Sequence, residues 1–369
     1  MGVGQGAVED LEVNRGFWNG RRVFLTGHTG FKGAWAAAWL AQMGAEVTGF
    51  AHAPDTEPNL WSLLGLSKVR SVIGDLNDRP TLERALAAAQ PEVIVHLAAQ
   101  ALVRRSYRDP VETFASNVMG TVQLLDAARG VDGLKAVVVA TSDKAYENVE
   151  QIWGYRETDP MGGRDPYSAS KGACEIAAQS MAKSFFAPFG GAGTHPARVA
   201  TVRAGNVIGG GDWSEDRLVP DIVRGCLGAE GAVTLRAPRS VRPWQHVLEP
   251  IRGYLMVAER LFGDDGAATG WNFGPDRTDE RAVLEVAEAV VGALGKGRIV
   301  IEEAGATLHE AKLLRLDCTK ARIELGWQPV LRFADCIRLT AGWYGGWAAG
   351  RSAADLCREQ ISEYEGFLA

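Results

Sequence analysis

The sequence predicts an α/β protein: a Rossmann-type, doubly wound parallel sheet with a smaller C-terminal substrate-binding lobe. Three observations carry this. Up to Asn206, short apolar runs alternate with longer amphipathic stretches, as in successive βαβ units. The runs are apolar almost throughout, as strands covered on both faces are. A glycine-rich turn, "TGHTGFKG", joins the first run to the first long helical stretch.

The elements follow in order. Residues 1–19 are glycine-rich and unpatterned, and are expected to form a flexible tail. "RRVFLTG" reads as a buried strand ending at Gly27, and "AWAAAWLAQMG" as a helix stopped by Gly44. Strands are expected at "AEVTGFA", "VRSVIGD", "PEVIVHLAAQ", "LKAVVVATS" and "ARVATVRAGNV". Helices are expected at "TLERALAAAQ", "PVETFASNVMGTVQLLDAAR" and "YSASKGACEIAAQSMAKSF". Residues 20–208 would then form the dinucleotide-binding domain, with right-handed crossovers. Beyond it the chain becomes loop-rich, in "GGGDWSEDRLVP", "APRSVRPWQHV" and "GPDRTDE". Residues 209–369 are assigned mainly to the lobe. Segments near 244–275, including "GWNFG", return to the main sheet.

Composition narrows the function classes. The 369 residues carry a net charge of −6, so a nucleic-acid partner is not expected. No apolar run approaches the roughly 20 residues that span a bilayer. The first residues hold no secretory h-region. Five cysteines are scattered without a CxxC pair, which fits a reducing, cytoplasmic setting and no metal site.

In the glycine loop, Gly27 would permit the tight turn, Gly30 would let the backbone approach a diphosphate, and Gly33 would allow close helix–sheet packing. The helix N-terminus then faces the anion. A plain tight turn is the alternative. The second strand ends "GFAHAP", with neither an acid for a ribose 2′-hydroxyl nor an arginine for a 2′-phosphate. Asp75 could accept from the adenine amino group, or act only as a turn acid. NAD is favoured over NADP.

Tyr167 and Lys171 in "YSASK" lie four apart on a helix and so share a face. An ammonium near a phenol lowers the phenol's pKa, so Tyr167 could take a proton from a sugar hydroxyl as hydride leaves. A surface pair is the alternative. Asp143 and Lys144 stand side by side after the strand "KAVVVA". They form an ion pair or a proton-transfer pair. Neighbours on a strand point to opposite faces, which argues against a mutual bridge; past the strand's end both could turn inward. Burial, or the charge of Lys171, could bring Lys144 toward neutrality.

A glycine loop followed by Y-x-x-x-K resembles the extended short-chain dehydrogenase/reductases, over nearly the whole chain from Trp18. "FWNGRRVFLTGHTGFKG", "HLAAQALVRRSY", "TSDKAYE", "PYSASK", "RAGNVIGGGDW", "EDRLVPD", "RPWQHVLEP", "WNFGP" and "LGWQP" are similar to the CDP-glucose 4,6-dehydratase family. That resemblance implies an NAD-dependent hydro-lyase that converts CDP-D-glucose to CDP-4-keto-6-deoxy-D-glucose in deoxysugar biosynthesis, as for lipopolysaccharide O-antigen. Tyr167 would deprotonate the 4-hydroxyl while hydride leaves carbon 4. Lys144 would take the proton from carbon 5, and Asp143 would protonate the departing 6-hydroxyl. Hydride would return to carbon 6. Ser142 would bond the 4-oxygen or merely backbone.

The cofactor set expected is Gly27, His28, Gly30, Phe31, Lys32, Gly33, Asp75, Leu76, Leu97, Ala98, Ala99, Thr141, Tyr167 and Lys171. The substrate set is Gln100, Arg104, Asn206, Arg217, Arg242 and His309. Gln100 and Arg104 stand where the dTDP-type relatives carry acids, which fits the CDP branch. Arg217 and Arg242 would hold the diphosphate. Trp213, Trp244 and Trp271 could stack on a base or fill a core. "VETFASNVMGTVQLLDAA" and "SKGACEIAAQSMAKSFF" carry apolar residues beyond the sheet's need, so a homodimer, possibly a tetramer, is expected. The alternatives are another nucleotide-sugar dehydratase, on a dTDP- or GDP-sugar, or an epimerase of the same fold.

Overall fold

A computed structural model describes residues 13–191, 193–228, 231–235, 237–301 and 313–368. Its centre is a parallel sheet of seven strands: β1 Arg22–Thr26, β2 Glu46–Ala51, β3 Arg70–Ile73, β4 Val93–His96, β5 Ala136–Ala140, β6 His195–Ala204 and β7 Gly270–Phe273. Their order is β7-β6-β5-β4-β1-β2-β3. A two-residue strand, Phe186–Ala187, also pairs with β6. The winding direction reverses between β1 and β4, which opens a crevice at the carboxyl ends of those strands.

Alternation along the strands divides the core in two. Val23, Leu25, Val95 and Val138 point to one face. There they meet Trp35 and Trp39 of helix α1 (Phe31–Gln42). Phe24, Ile94, Val137 and Val139 point to the other. That face is covered by helices α2 (Arg79–Ala89), α3 (Gly120–Ala128) and α4 (Pro166–Phe185). Helix α5 (Leu248–Arg260) is buried over nearly its whole length on the α1 side. The lobe contributes the helices Leu218–Leu227 and Val283–Leu294, and the paired strands Ala232–Leu235 and Arg298–Ile301.

Two expected boundaries shift. The tail does not extend through Asn19. Asn14 caps a short helix, Arg15–Trp18, and Trp18 is fully buried, with its indole N–H donating to Glu259 on α5 at 2.5 Å. An indole is too large an apolar group to be left in water when a partner for its N–H is in reach. The chain after residue 209 is also not all lobe. Helix α6 (Phe333–Ala348) packs on the lobe helix Val283–Leu294, and helix α7 (Ala353–Gly366) returns to α1, where the Tyr364 ring stands edge-on to Trp39 at 5.6 Å. One continuous apolar core therefore joins the two parts. Gly270–Phe273 pairs with β6 in the main sheet, whereas Trp244–His246 pairs with Asn206–Ile208 in a separate two-stranded sheet.

Candidate active site

The crevice at the switch point opens into a cavity of about 1340 Å³ that reaches from the glycine loop to the lobe. That exceeds the few hundred to roughly 1,000 Å³ of a pocket for one drug-sized molecule. It has room for a dinucleotide and a second nucleotide side by side.

One end is built by the glycine loop. Gly27 has φ +76, and a Cβ there would stand 2.6 Å from the Ala98 nitrogen. A Cβ on Gly33 would stand 2.0 Å from the Gly27 oxygen. Both positions therefore exclude every side chain, and the loop packs flat between β1, β4 and α1. Gly30 caps α1 and has no side chain to take up the first amides of the helix, and Gly30, Phe31, Lys32 and Gly33 all line the cavity. This cradle fits a dinucleotide diphosphate. Lys32 lies in the same wall, held down to about 8 by burial and by Arg217 and Lys171. Phe31, Leu76, Leu97, Ala98, Ala99 and Thr141 line the cavity with it. Asp75 also lines it; one oxygen accepts from the Asn77 amide at 2.8 Å and the other lies 3.4 Å from His52 Nε2.

His28 departs from the expected cofactor set. Its ring turns away from the cavity and packs beneath β2, edge-on to Trp61 at 4.6 Å, with Nε2 at 2.7 Å from the Ser71 hydroxyl. A Cβ at Gly49 would sit 2.3 Å from the imidazole, so the ring fits only because residue 49 lacks one. Burial pushes its pKa down to about 4, and the side chain is a neutral packing group.

The middle of the cavity holds the acid–amine pair. Strand β5 ends at Ala140, and Asp143–Ala145 form a single 3₁₀ turn capped by Ser142. This change of backbone decides what a strand could not: Asp143 and Lys144 both face the cavity. Asp143 is buried, and one of its oxygens accepts from Ser142 Oγ at 2.9 Å. The other, Oδ2, is buried with no hydrogen-bond partner among the described residues. Burial raises the Asp143 pKa, against the pull of Lys144 and Ser142. Burial also lowers the Lys144 pKa, aided by Arg242 and Arg217 rather than by Lys171. The acid is thus shifted toward its protonated form and the amine toward its free base.

Tyr167 and Lys171 enter from α4. Asp165 caps the helix, Pro166 occupies its first turn, and Ser106 Oγ accepts the Tyr167 amide at 3.1 Å. Both side chains are buried and line the cavity. The expected lowering of the Tyr167 pKa is not found. Burial raises it, against a hydrogen bond to Ser142 and the charge of Arg217. Lys171 instead reaches the Ala140 carbonyl at 3.5 Å, and its own pKa is lowered by burial. Tyr167, Ser142 and Asp143 form a hydrogen-bonded chain, and the Lys144 ammonium lies 5.9 Å from the Tyr167 ring centre.

At the lobe end, Asn206, Arg217 and Arg242 line the cavity, as does Arg104, which pairs with Asp216 at 3.4 Å. Arg217 donates to the Ala101 carbonyl at 3.3 Å. Gln100 lines the cavity as well. Its amide donates to the Leu102 carbonyl and the Thr113 hydroxyl, and its carbonyl accepts the Leu102 amide. The side chain therefore ties its loop to Thr113 on the helix Pro110–Phe114, and its hydrogen-bonding groups already have protein partners. His309 lies outside the described residues. Trp213 and Trp244 both line the cavity, Trp244 while largely buried, whereas Trp271 is a buried core residue away from it.

Sequence reasoning missed the groups that hold this site together. Asn117, inside the π-helical turn Ala115–Met119, accepts the main-chain N–H of Gln100 at 2.8 Å and donates to its main-chain carbonyl at 3.0 Å and to the Ser170 hydroxyl at 2.8 Å. His96 joins Thr26 at 2.6 Å to Thr121 at 3.0 Å, and Thr26 in turn accepts the amides of Leu97 and Ala98. Glu175 and Arg203 form a fully buried ion pair. Only Arg203 carried a signal, as a charge inside an apolar strand, which requires a buried partner.

A dinucleotide cradle beside a Tyr–Lys helix defines the class: an extended short-chain dehydrogenase/reductase. The sequence model described as GDP-mannose 4,6 dehydratase matches residues 24–340. A CDP-glucose 4,6-dehydratase of Salmonella typhimurium is 45% identical over 95% of this chain and 98% of its own length. The chain belongs to the nucleotide-sugar 4,6-dehydratase family. Among solved structures, the dTDP-glucose 4,6-dehydratase DesIV of Streptomyces venezuelae, a double mutant with NAD and DAU bound, superposes with a TM-score of 0.73 at 25% identity, covering 88% of this chain and 98% of that one. An epimerase of Methanothermobacter thermautotrophicus shares the fold, with a TM-score of 0.79 at 20% identity over 94% of this chain and 96% of that one.

Proposed function

We propose that the chain dehydrates CDP-D-glucose to CDP-4-keto-6-deoxy-D-glucose with NAD as a bound, recycled cofactor. The single observation that carries this is the turning of Asp143 and Lys144 into the cleft that also holds Tyr167. Bound NAD supplies a reversible hydride acceptor, which a dehydration with no net redox change requires. The glycine cradle and Lys32 would hold its diphosphate, and Thr141 and Leu97–Ala99, which line the same cavity, would lie against it.

The protein handles the protons. Tyr167 takes the proton of the sugar's 4-hydroxyl, with Ser142 as its hydrogen-bond partner. The ketone so formed acidifies the hydrogen on carbon 5. The Lys144 amine takes that proton as the bond between carbon 6 and oxygen breaks, and Asp143 delivers a proton to the departing oxygen. A double bond forms between carbons 5 and 6, and water leaves; Lys144 would give its proton back to carbon 5 when carbon 6 is reduced, which completes the 4-keto-6-deoxy sugar. The unpartnered Oδ2 of Asp143 suits this role, since it is a buried oxygen with a raised pKa and no competing acceptor.

Arg217, Arg242, Arg104 and Asn206 are assigned to the substrate's diphosphate and sugar, and similarity to the Salmonella enzyme supports cytidine as the base. Exposed apolar residues on the helical segments that cover the second sheet face, Val111 at 77% and Ile176 at 62%, with Phe114 and Met119, support a two-fold dimer through those helices. No helix among the described residues is long and apolar enough to cross a membrane, and the five free, buried thiols support a reducing, cytoplasmic setting.

The test is incubation with CDP-, dTDP-, GDP- and UDP-glucose in parallel, each deuterated at carbon 4. The expected result is a 4-keto-6-deoxy product from CDP-glucose, with the label at carbon 6. Product from another nucleotide in preference reassigns the base. Absence of any keto product defeats the reading.

A further inference from the structure

Both ends of the turn that carries Asp143 and Lys144 are tied to one buried ion pair. Arg203 lies in β6 and Glu175 on α4, and both are fully buried. Arg203 grips Glu175 with two prongs, Nε at 2.7 Å and Nη2 at 2.8 Å. Although burial pushes the Glu175 pKa up, the hydrogen bonds and charge of Arg203 bring it below its ordinary value, so the carboxylate is charged.

Two side chains complete the cluster. Thr141 donates its hydroxyl to Glu175 Oε1. Tyr146 accepts from Arg203 Nη1 at 2.5 Å and donates to Asn272 Oδ1 on β7 at 2.8 Å. The Asn272 amide in turn donates to the Tyr155 carbonyl at 2.9 Å and the Asp317 carbonyl at 3.2 Å. Thr141 immediately precedes Ser142, and Tyr146 immediately follows Ala145. The catalytic turn is therefore bracketed, front and back, by hydroxyls bonded to the same pair. Glu175 also stands one helical turn beyond Lys171.

We infer that the Glu175–Arg203 pair, with Thr141 and Tyr146, is a positioning device for the elimination step. It sets the Ser142–Ala145 turn against the helix bearing Tyr167 and Lys171, so that the groups acting on carbons 5 and 6 meet a sugar whose carbon 4 faces the tyrosine. This rests on the dehydratase reading. Neither charge of the pair lines the cavity, and neither exchanges a proton with substrate. The device acts only through the turn it holds.

Oxidation at carbon 4 and elimination should then respond differently when the turn is loosened. Tyr146→Phe removes only the hydroxyl shared by Arg203 and Asn272, and leaves Glu175 beside Lys171. With the holoenzyme and CDP-glucose, reduced nicotinamide is expected to accumulate during turnover, because carbon 4 is oxidised faster than water is lost. The kcat should fall roughly ten- to hundredfold, the scale of a misplacement near 1 Å. The KM for CDP-glucose and NAD binding, measured by fluorescence quenching without substrate, should stay near wild type. A fall in kcat with no reduced nicotinamide, or a variant as fast as wild type, overturns the inference. Should Tyr146→Phe not fold, Arg203→Lys keeps a charge beside Glu175 but loses the prong that reaches Tyr146, and is judged by the same accumulation. Wild-type enzyme run alongside separates the two claims. No keto product from it defeats the dehydratase reading. Product from wild type with no accumulation in either variant defeats the positioning role alone.

Discussion

Replacing Asp143 by asparagine separates catalysis from stability in opposite directions. The asparagine carbonyl can still accept from Ser142 Oγ, as the carboxylate does at 2.9 Å, so the turn is preserved. What is lost is the acidic proton that Asp143 would deliver to the departing oxygen. General acid catalysis is worth about two to four decades of rate, so kcat should fall by about 10²–10⁴, a barrier rise of about 3–5 kcal/mol. Stability should move the other way. The folded pKa of Asp143 is raised by burial, above its unfolded value. Its contribution to stability is therefore fully present below the unfolded pKa and is lost as pH rises through the folded pKa. Asparagine has no such loss. Urea unfolding of both proteins from acid to neutral pH should give curves that diverge in the variant's favour as pH rises, by about 1.4 kcal/mol for each unit of the shift. The kcat is read from keto-product formation. Parallel stability curves, or a variant that keeps wild-type turnover, would refute the reasoning.

Three further outcomes are expected. Arg242→Gln removes a like charge that helps lower the Lys144 pKa; that pKa then rises, and the limb of the kcat profile on which activity increases with pH moves to higher pH. A limb that stays in place shows that Arg242 does not tune the base. Gly33→Ala drives a methyl to 2.0 Å from the Gly27 oxygen and opens the cradle. Titration should show NAD affinity reduced by at least about tenfold, a loss of about 1.4 kcal/mol. Trp18→Ala removes a fully buried indole and its hydrogen bond to Glu259. Denaturant unfolding should show a loss of about 3–5 kcal/mol, whereas a free tail would show none.

The glycine loop, the tyrosine–lysine spacing and the acid–amine pair were legible in the chain because each is local. Gly27, Gly30 and Gly33 span one turn, and Tyr167 and Lys171 share a helix face through the 3.6-residue period alone. The parallel sheet was legible too, since continuous apolar runs such as Val93–His96 fit strands covered on both sides. Other features are contacts between residues far apart in sequence. His28 sits among the glycines, yet its ring was drawn under β2 by the space at Gly49 and the hydroxyl of Ser71. Gln100 looked free for a ligand until Thr113 and Leu102 took its amide. Lys171, in reach of Tyr167 by spacing, turned to the Ala140 carbonyl.

By itself, then, the sequence determined which chemical groups this protein owns and which of them ride together on one turn or one helix, because backbone periodicity acts over a few residues. Only the tertiary structure decided where those groups point. It ended β5 early enough to swing Asp143 and Lys144 inward, matched Arg203 on β6 to Glu175 on α4, and brought α7 back onto α1. Each of these depends on which distant surfaces bury one another, and a buried charge or indole accepts only the partner that packing delivers.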